Sequence, residues 1–304
     1  MAHDHNHLGD HAAASFNTAF AIGVALNTAY VLFEVVFGIL GHSLALLADA
    51  GHNLSDVLGL LLAWGASAMA KSMPTKRRTY GLRGTSILAA LFNAIFLLVS
   101  VGAIAWEAVR RFNAPTDVAA RTVIWVSLLG IGINTVTALM FMSGRKGDLN
   151  IRGAFLHMAA DAGISAGVVI AGVAILWTGW HWIDPVVSLL ISTVIVWGTW
   201  DLLRESVNLA VQAVPENIEP EGVERYLEQL PGITKVHDLH IWAMSTTETA
   251  LTAHLVKPDG KIDDSLLCRI KDELHDRFHI EHVTLQCECG DSDHLCSQEP
   301  EHVV

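Results

Sequence analysis

Residues 44–70 read LALLADAGHNLSDVLGLLLAWGASAMA, an apolar run broken by Asp49, His52, Asn53 and Asp56. A membrane-crossing helix needs roughly 20 predominantly apolar residues to cover the hydrocarbon core. This stretch is long enough, so its polar residues fall where water is scarce. An ionisable side chain at bilayer depth costs a few kcal/mol even on the lenient insertion scale. Such residues are expected to face a protein interior and to serve a purpose there.

The rest of the chain sets that helix in context. The 304 residues are 52% hydrophobic and only 16% charged, with a mean hydropathy of +0.41. Soluble domains carry about 25% charged residues, so much of this chain belongs in lipid. Six apolar stretches are long enough to span, at about 16–40, 44–70, 85–109, 118–142, 153–178 and 184–203. The N-terminus, MAHDHNHLGDH, has neither a basic n-region nor a small-residue cleavage site, which predicts no cleaved signal peptide. A net charge of −12, with no basic stripe, excludes a nucleic-acid partner.

Loop charge predicts the orientation. Lys71, Lys76, Arg77, Arg78, Arg83, Arg145, Lys146, Arg152 and Arg204 flank one side of the spans, against Arg110 and Arg111 on the other. The positive-inside rule then puts both termini in the cytoplasm. Trp177, Trp180 and Trp182 suit an aromatic belt at the outer face.

After residue 205 the sequence turns polar and acidic. Val223, Tyr226, Leu227 and Leu230 recur at helical spacing, KVHDLHIWAM and ALTAHLVK alternate as strands do, Leu266, Ile270, Leu274 and Phe278 mark a second helix, and HVTLQCE reads as a last strand. The order αββαβ predicts a small ferredoxin-like α+β domain. The expected organisation is a His-rich cytosolic tail at 1–15, a six-helix transmembrane bundle at 16–203, a cytosolic ferredoxin-like metal-binding domain at 205–290 and a Cys/His/acidic tail at 291–304.

His52 and Asp56 are spaced i, i+4, which puts them on one helix face. The fifth stretch repeats the pattern in AFLHMAAD, with His157 and Asp161. Two imidazoles and two carboxylates complete a tetrahedral shell that suits Zn²⁺. Depth agrees. His52 lies eight residues past Leu44 and Asp161 eight past Gly153, in antiparallel helices, so each is about 12 Å in from opposite faces. The competing reading, polar packing between helices, accounts less well for four buried ionisable groups in a repeated pattern. Asp49 is expected to support the ligands or to line a vestibule. Asn53, Asn93 and Asn134 suit interhelical hydrogen bonds, and Glu34 suits either an outer pathway or helix packing.

GHSLALLADAGHNLSD, LHMAAD, six spans and an αββαβ tail carrying LHIW and HVTLQCE resemble the cation diffusion facilitator family, nearest its zinc-transporting, cobalt–zinc–cadmium resistance branch. The resemblance implies a homodimeric antiporter that exports Zn²⁺, or Cd²⁺, Co²⁺ or Ni²⁺, from the cytoplasm in exchange for protons by alternating access. A bacterial inner-membrane location goes with it. It implies that His52, Asp56, His157 and Asp161 are the transport site. For the cytosolic domain it implies ligands near the dimer interface, with His254, Glu288 and His282 matching best by position. His237, His240, Cys287, Cys289 and Cys296 are further candidates, the thiols because soft sulfur beside histidine suits Zn²⁺. The segment PTKRRTYGLRGTS departs from relatives that place His and Asp ligands there, since it holds no His, Asp or Glu. Its basic residues suit lipid phosphates or the acidic soluble domain.

Charge balance supplies a mechanism. A divalent ion with two carboxylates and two neutral imidazoles leaves no net charge. Removing the ion strands two carboxylates in a low-dielectric site until protons replace it. Metal and proton then compete, because ligands must be deprotonated, at one to two protons per metal. A metallohydrolase is disfavoured because no H-E-x-x-H motif occurs. A membrane metal sensor without transport is the remaining alternative. His3, His5, His7 and His11 suit either metal capture or an expendable tail.

Overall fold

The computed structural model describes residues 8–70, 73–141, 149–260, 264–290, 296 and 298. Of the sequence candidates, His3, His5, His7, Lys71, Arg145 and Lys146 lie outside the described residues. The chain divides into two compact units, residues 1–61 with 93–200, and residues 62–92 with 201–304.

Six long helices come first, α1 (Leu8–Leu40), α2 (Leu44–Ala70), α3 (Thr85–Asn113), α4 (Ala120–Phe141), α5 (Leu149–Thr178) and α6 (Ile183–Ala210). Four helical stretches among the described residues are long and apolar enough to cross a membrane, Thr85–Asn113, Ala120–Met140, Phe155–Thr178 and Ile183–Ala210, and Val24–Leu40 is a shorter apolar one. Trp106, Trp125, Ile170, Leu190 and Trp197 are exposed on these helices, which a water-soluble protein would avoid over so continuous a surface. Trp177, Trp180 and Trp182 are exposed as well.

Within the first unit, Tyr30, Leu46, Ala48, Val101, Val123, Val126, Val168 and Ile175 form the buried core. Small residues set the closest approaches. A Cβ at Gly172 would lie 2.9 Å from the Ile124 side chain, so α4 and α5 meet at a distance only glycine permits. The start of α2 is fixed from α6. Asp184 is buried, accepts the Leu44 and Ala45 N–H groups at 2.8 and 3.3 Å and the Ser43 hydroxyl, and lies 3.7 Å from Arg111. The first N–H groups of a helix have no internal partner, so this carboxylate from another helix anchors α2 and sets the height of DAGHNLSD.

The second unit continues with α7 (Pro220–Glu228), β1 (Lys235–Ala243), β2 (Thr249–Val256), α8 (Asp264–Phe278) and β3 (His282–Glu288), the order read from the sequence. Pro220 opens α7, where its missing N–H costs nothing. The strands form one sheet in the order β1-β2-β3, with β1 antiparallel and β3 parallel to β2. The parallel pair requires a crossover, which α8 supplies. Leu251, Ala253 and Leu255 pack with Val223 and Leu227 of α7 and Ile270 and Leu274 of α8. By period-2 alternation, Thr252 and His254 point to the other face.

Residues 74–86 also belong to this unit. Arg83 pairs with Glu248 at 3.1 Å, Ser86 Oγ accepts the Thr246 N–H at 3.1 Å, and the Tyr80 and His282 rings meet edge to face at 5.4 Å. At least Arg83 therefore meets the acidic domain.

Candidate metal centres

The first centre lies in the first unit, on α2 and α5. His52 Nε2 lies 3.2 Å from Asp161 Oδ1 and 3.7 Å from Asp56 Oδ2. His157 Nε2 lies 3.1 Å from Asp56 Oδ2 and 3.7 Å from Asp161 Oδ2. Each imidazole thus reaches both carboxylates, and the two rings sit edge to face at 5.9 Å. A tetrahedral ion with bonds of about 2.0–2.2 Å has ligand–ligand edges of about 3.3–3.6 Å. The four measured His–Asp edges bracket that value. Asp56 Oδ2 and Asp161 Oδ2 are buried and form no hydrogen bond among the described residues. Buried polar atoms left this way need a partner, and a cation between the carboxylates would supply it.

Burial is graded across the site. Asp161 is 1% exposed, whereas the His157 side chain is 42% exposed. The cluster is therefore closed at Asp161 and open at His157.

Asp49 does not join this shell. It is fully buried and accepts the Ser165 hydroxyl at 3.0 Å. Glu34 is also fully buried, accepting from Tyr30 at 2.9 Å and from Asn53 Nδ2 at 3.3 Å. Asn53 thus joins helices as its spacing suggested. Asn93 does the same, accepting from Ser55 at 3.4 Å.

The second centre lies on the sheet of the second unit. His237, His254, Glu288 and Cys296 each offer a ligand atom, all within 4.8 Å of one another. Glu288 is the hub, with its oxygens 3.2 Å from His237 Nε2 and 3.1 Å from His254 Nδ1. Cys296 Sγ lies 3.6 Å from His254 Nδ1. Strand register explains the grouping. His237 faces His254 across the β1–β2 pair, and Val256 pairs with Glu288, so all three side chains share one sheet face. Burial tends to raise the Glu288 carboxyl, but hydrogen bonds from Gln286, Cys296 and His237 outweigh it and hold the group below the usual carboxylate range.

A residue that sequence reasoning missed completes this centre. Asp238 lies 3.4 Å from His254 Nε2 and 2.9 Å from His240 Nε2. The strand pairing slips between His237 and His240, and Asp238 has a φ of 51°. Such a bulge re-aims a side chain, here toward the far nitrogen of a candidate ligand, the arrangement that orients metal-bound histidines. The signal was present in KVHDLH, where two histidines three apart cannot share a face of a regular strand.

Four sequence candidates fall elsewhere. Cys287 packs in the apolar core between sheet and helices, where burial raises its thiol and disfavours the thiolate a metal needs. Cys289 is exposed beside Gly260. His282 pairs with Ala250, four residues from His254 along β2, or about 13 Å away. Among the described residues, His240 meets the centre through Asp238.

Helices long and apolar enough for lipid, with imidazoles and carboxylates brought together between two of them, mark an integral membrane protein with a candidate cation site. The model of the cation efflux transmembrane domain matches residues 20–209, and that of the cation efflux protein cytoplasmic domain matches residues 215–289. The zinc transporter ZitB of Escherichia coli (strain K12) is 36% identical, covering 95% of this chain and 93% of its own. The metal cation efflux system protein CzcD of Cupriavidus metallidurans is 36% identical over 94% and 89%. A cadmium, cobalt and zinc/H(+)-K(+) antiporter of Bacillus velezensis is 33% identical over 99% and 98%. The chain belongs to the cation efflux family, and it is a membrane transporter of metal cations.

Proposed function

We propose that this protein exports Zn²⁺ from the cytoplasm in exchange for protons, with His52, Asp56, His157 and Asp161 holding the ion in transit. Cd²⁺ and Co²⁺ are accepted at the same nitrogen–oxygen shell, because such shells follow affinity trends more than sharp selectivity. The observation that carries this reading is the closure of two i, i+4 His–Asp pairs into one ring of contacts at 3.1–3.7 Å. Metal-free, that ring has two carboxylates beside two imidazoles. Protons taken up there neutralise the carboxylates and lower metal affinity, which makes exchange of about one to two protons per ion the natural cycle.

The wider assembly follows the same reading. All six long helices span a bacterial inner membrane, with both termini cytoplasmic. Arg121 at the start of α4 adds a third basic residue to the outer side, against nine on the inner, and leaves the bias intact. Residues 205–290 are a cytosolic ferredoxin-like domain through which two copies associate. Its centre of His237, His254, Glu288 and Cys296 binds Zn²⁺ and is supported by Asp238.

The test is flux. Proteoliposomes containing the full chain take up Zn²⁺ faster under an opposing proton gradient, and Asp161→Ala abolishes uptake. Binding without flux in the unaltered protein would make it a sensor instead.

A further inference from the structure

The buried polar groups of the first unit extend beyond the four metal ligands. Glu34 on α1 and Asp49 on α2 are both 0% exposed, and their carboxyls lie within hydrogen-bonding reach of each other. Both Glu34 oxygens accept from neutral donors, Tyr30 O–H and Asn53 N–H. Asp49 Oδ2 accepts the Ser165 hydroxyl, while Asp49 Oδ1 is buried and receives no hydrogen bond among the described residues. The titratable groups that face the pair are Tyr30 from α1, His52 from α2 and Asp161 from α5. Among the described residues neither carboxyl pairs with a lysine or arginine.

Two adjacent carboxylates cannot both stay ionised without water or a cation, because each is desolvated and each repels the other. One proton shared between them turns that repulsion into a hydrogen bond and completes the orphan oxygen. The surroundings select a proton over a metal or potassium ion. The neighbouring hydroxyls and amide direct hydrogens at the carboxyls, whereas a hard cation needs six or more oxygen lone pairs directed at it.

We propose that Glu34 and Asp49 form a proton-sharing carboxyl pair, a proton site distinct from the metal ligands, which releases its proton as metal loads the His52–Asp56–His157–Asp161 centre. The release step leaves two carboxylates at the pair and one H⁺ in water, while the incoming ion brings two positive charges nearby. Helix geometry places the two sites side by side. Asp49 precedes His52 by three residues on α2, and Ser165 follows Asp161 by four on α5, which is about 4.5–6 Å of helix rise. The same two helices therefore carry the ligands and partners of the pair. A divalent ion one turn away favours the ionised pair, and an empty centre favours its protonated form. The inference rests on the transport reading, but it separates where the metal binds from where one of the protons is held.

Infrared difference spectra of the purified full-length protein, zinc-loaded minus zinc-free, test it together with proton release in weakly buffered solution. The unaltered protein loses a protonated-carboxyl C=O band on zinc addition. Glu34→Gln and Asp49→Asn both lack that band, still bind zinc, and release about one proton fewer per ion. Tyr30→Phe removes only a donor to Glu34, so it shifts the band without deleting it. The proposal is overturned if the unaltered protein shows no such band, if the band survives in both carboxyl variants, or if Tyr30→Phe leaves it unmoved. It is equally overturned if potassium replaces sodium and erases the band at constant pH, which would make this a potassium site, or if folded Glu34→Gln fails to bind zinc, which would make Glu34 a ligand. Undiminished zinc flux in Asp161→Asn would instead sink the transport site and leave the infrared result standing on its own.

Discussion

The two candidate centres use the same chemistry, histidine with carboxylate, and reach it by opposite routes. In the helical unit each His–Asp pair is local, four residues apart on one helix, and only one packing contact, α2 against α5, is needed to unite them. In the second unit the members come from residues 237, 254, 288 and 296, and no two are neighbours in sequence. The first centre depends on helix placement, which Asp184 and the glycine contacts control. The second depends on strand register and a bulge. The first holds only nitrogen and oxygen donors, a borderline set that an ion can leave, whereas the second adds the softer sulfur of Cys296.

The largest expected effect tests the local centre. Asp56→Asn and Asp161→Asn keep size and polarity but remove the charge that balances the ion. Zinc flux in proteoliposomes should fall by at least about a hundredfold, more than the loss expected for an outer-sphere partner. Flux within a few-fold of the unaltered rate in either variant would break the contrast between the centres at its stronger end.

At the register-built centre the effects should be smaller and ordered. Glu288→Ala removes the hub and should weaken zinc binding to the cytosolic centre of the full-length protein by about 100-fold, while Asp238→Asn should cost about 10-fold. Cys287→Ala and His282→Ala should leave that affinity unchanged, because one faces the core and the other lies about four residues, or 13 Å, along the sheet. Competitive titration with a zinc-sensitive dye, in an Asp161→Asn background that silences the first centre, reads all four.

The same contrast explains what could be read from residue order. HxxxD spacing directly encodes proximity on a helix, so His52, Asp56, His157 and Asp161 were legible as one group before any fold was known. The αββαβ order was legible because alternation and helical stripes are equally local. Register is not local. Cys287 and Cys289 looked like ligands beside Glu288, yet odd and even positions of a strand face opposite ways, and Glu288 shares its face with Gln286 instead. Asp238 was hidden by the bulge that re-aims it. Glu34 was left between a pathway and packing, because its partners Tyr30, Asn53 and Asp49 come from two helices and the donor Tyr30 packs on a third.

That third helix supplies the next prediction. A Cβ at Gly130 of α4 would run into the Tyr30 hydroxyl, which also lies 3.5 Å from the Val126 carbonyl. Gly130→Ala therefore forces Tyr30 off Glu34 or pushes α4 away. Overpacking of this kind costs about 1–3 kcal/mol, and the thermal midpoint of the detergent-solubilised protein should fall accordingly. Gly132→Ala is the control, since nothing lies within 4 Å of a Cβ there. Equal effects at the two positions would remove the packing account of Tyr30.

The smallest effect concerns acid. The Glu288 carboxyl is held below its usual range by its hydrogen-bond donors, so it is more readily ionised in the folded protein than in the unfolded chain. Its contribution is then fully present above the unfolded value of about 4.3 and is lost as pH falls through the lower folded value. A partly exposed group of this kind contributes at most about 1 kcal/mol. In zinc-free protein, Glu288→Gln should lower the denaturation midpoint slightly at neutral pH, and the difference should close as the solution is acidified below about pH 4. A difference that instead widened in acid would mean that the folded domain holds this carboxyl above its usual range. Glu288 would then be a protonated strand-edge residue, and the chemistry that the two centres share would fail at the hub of the second.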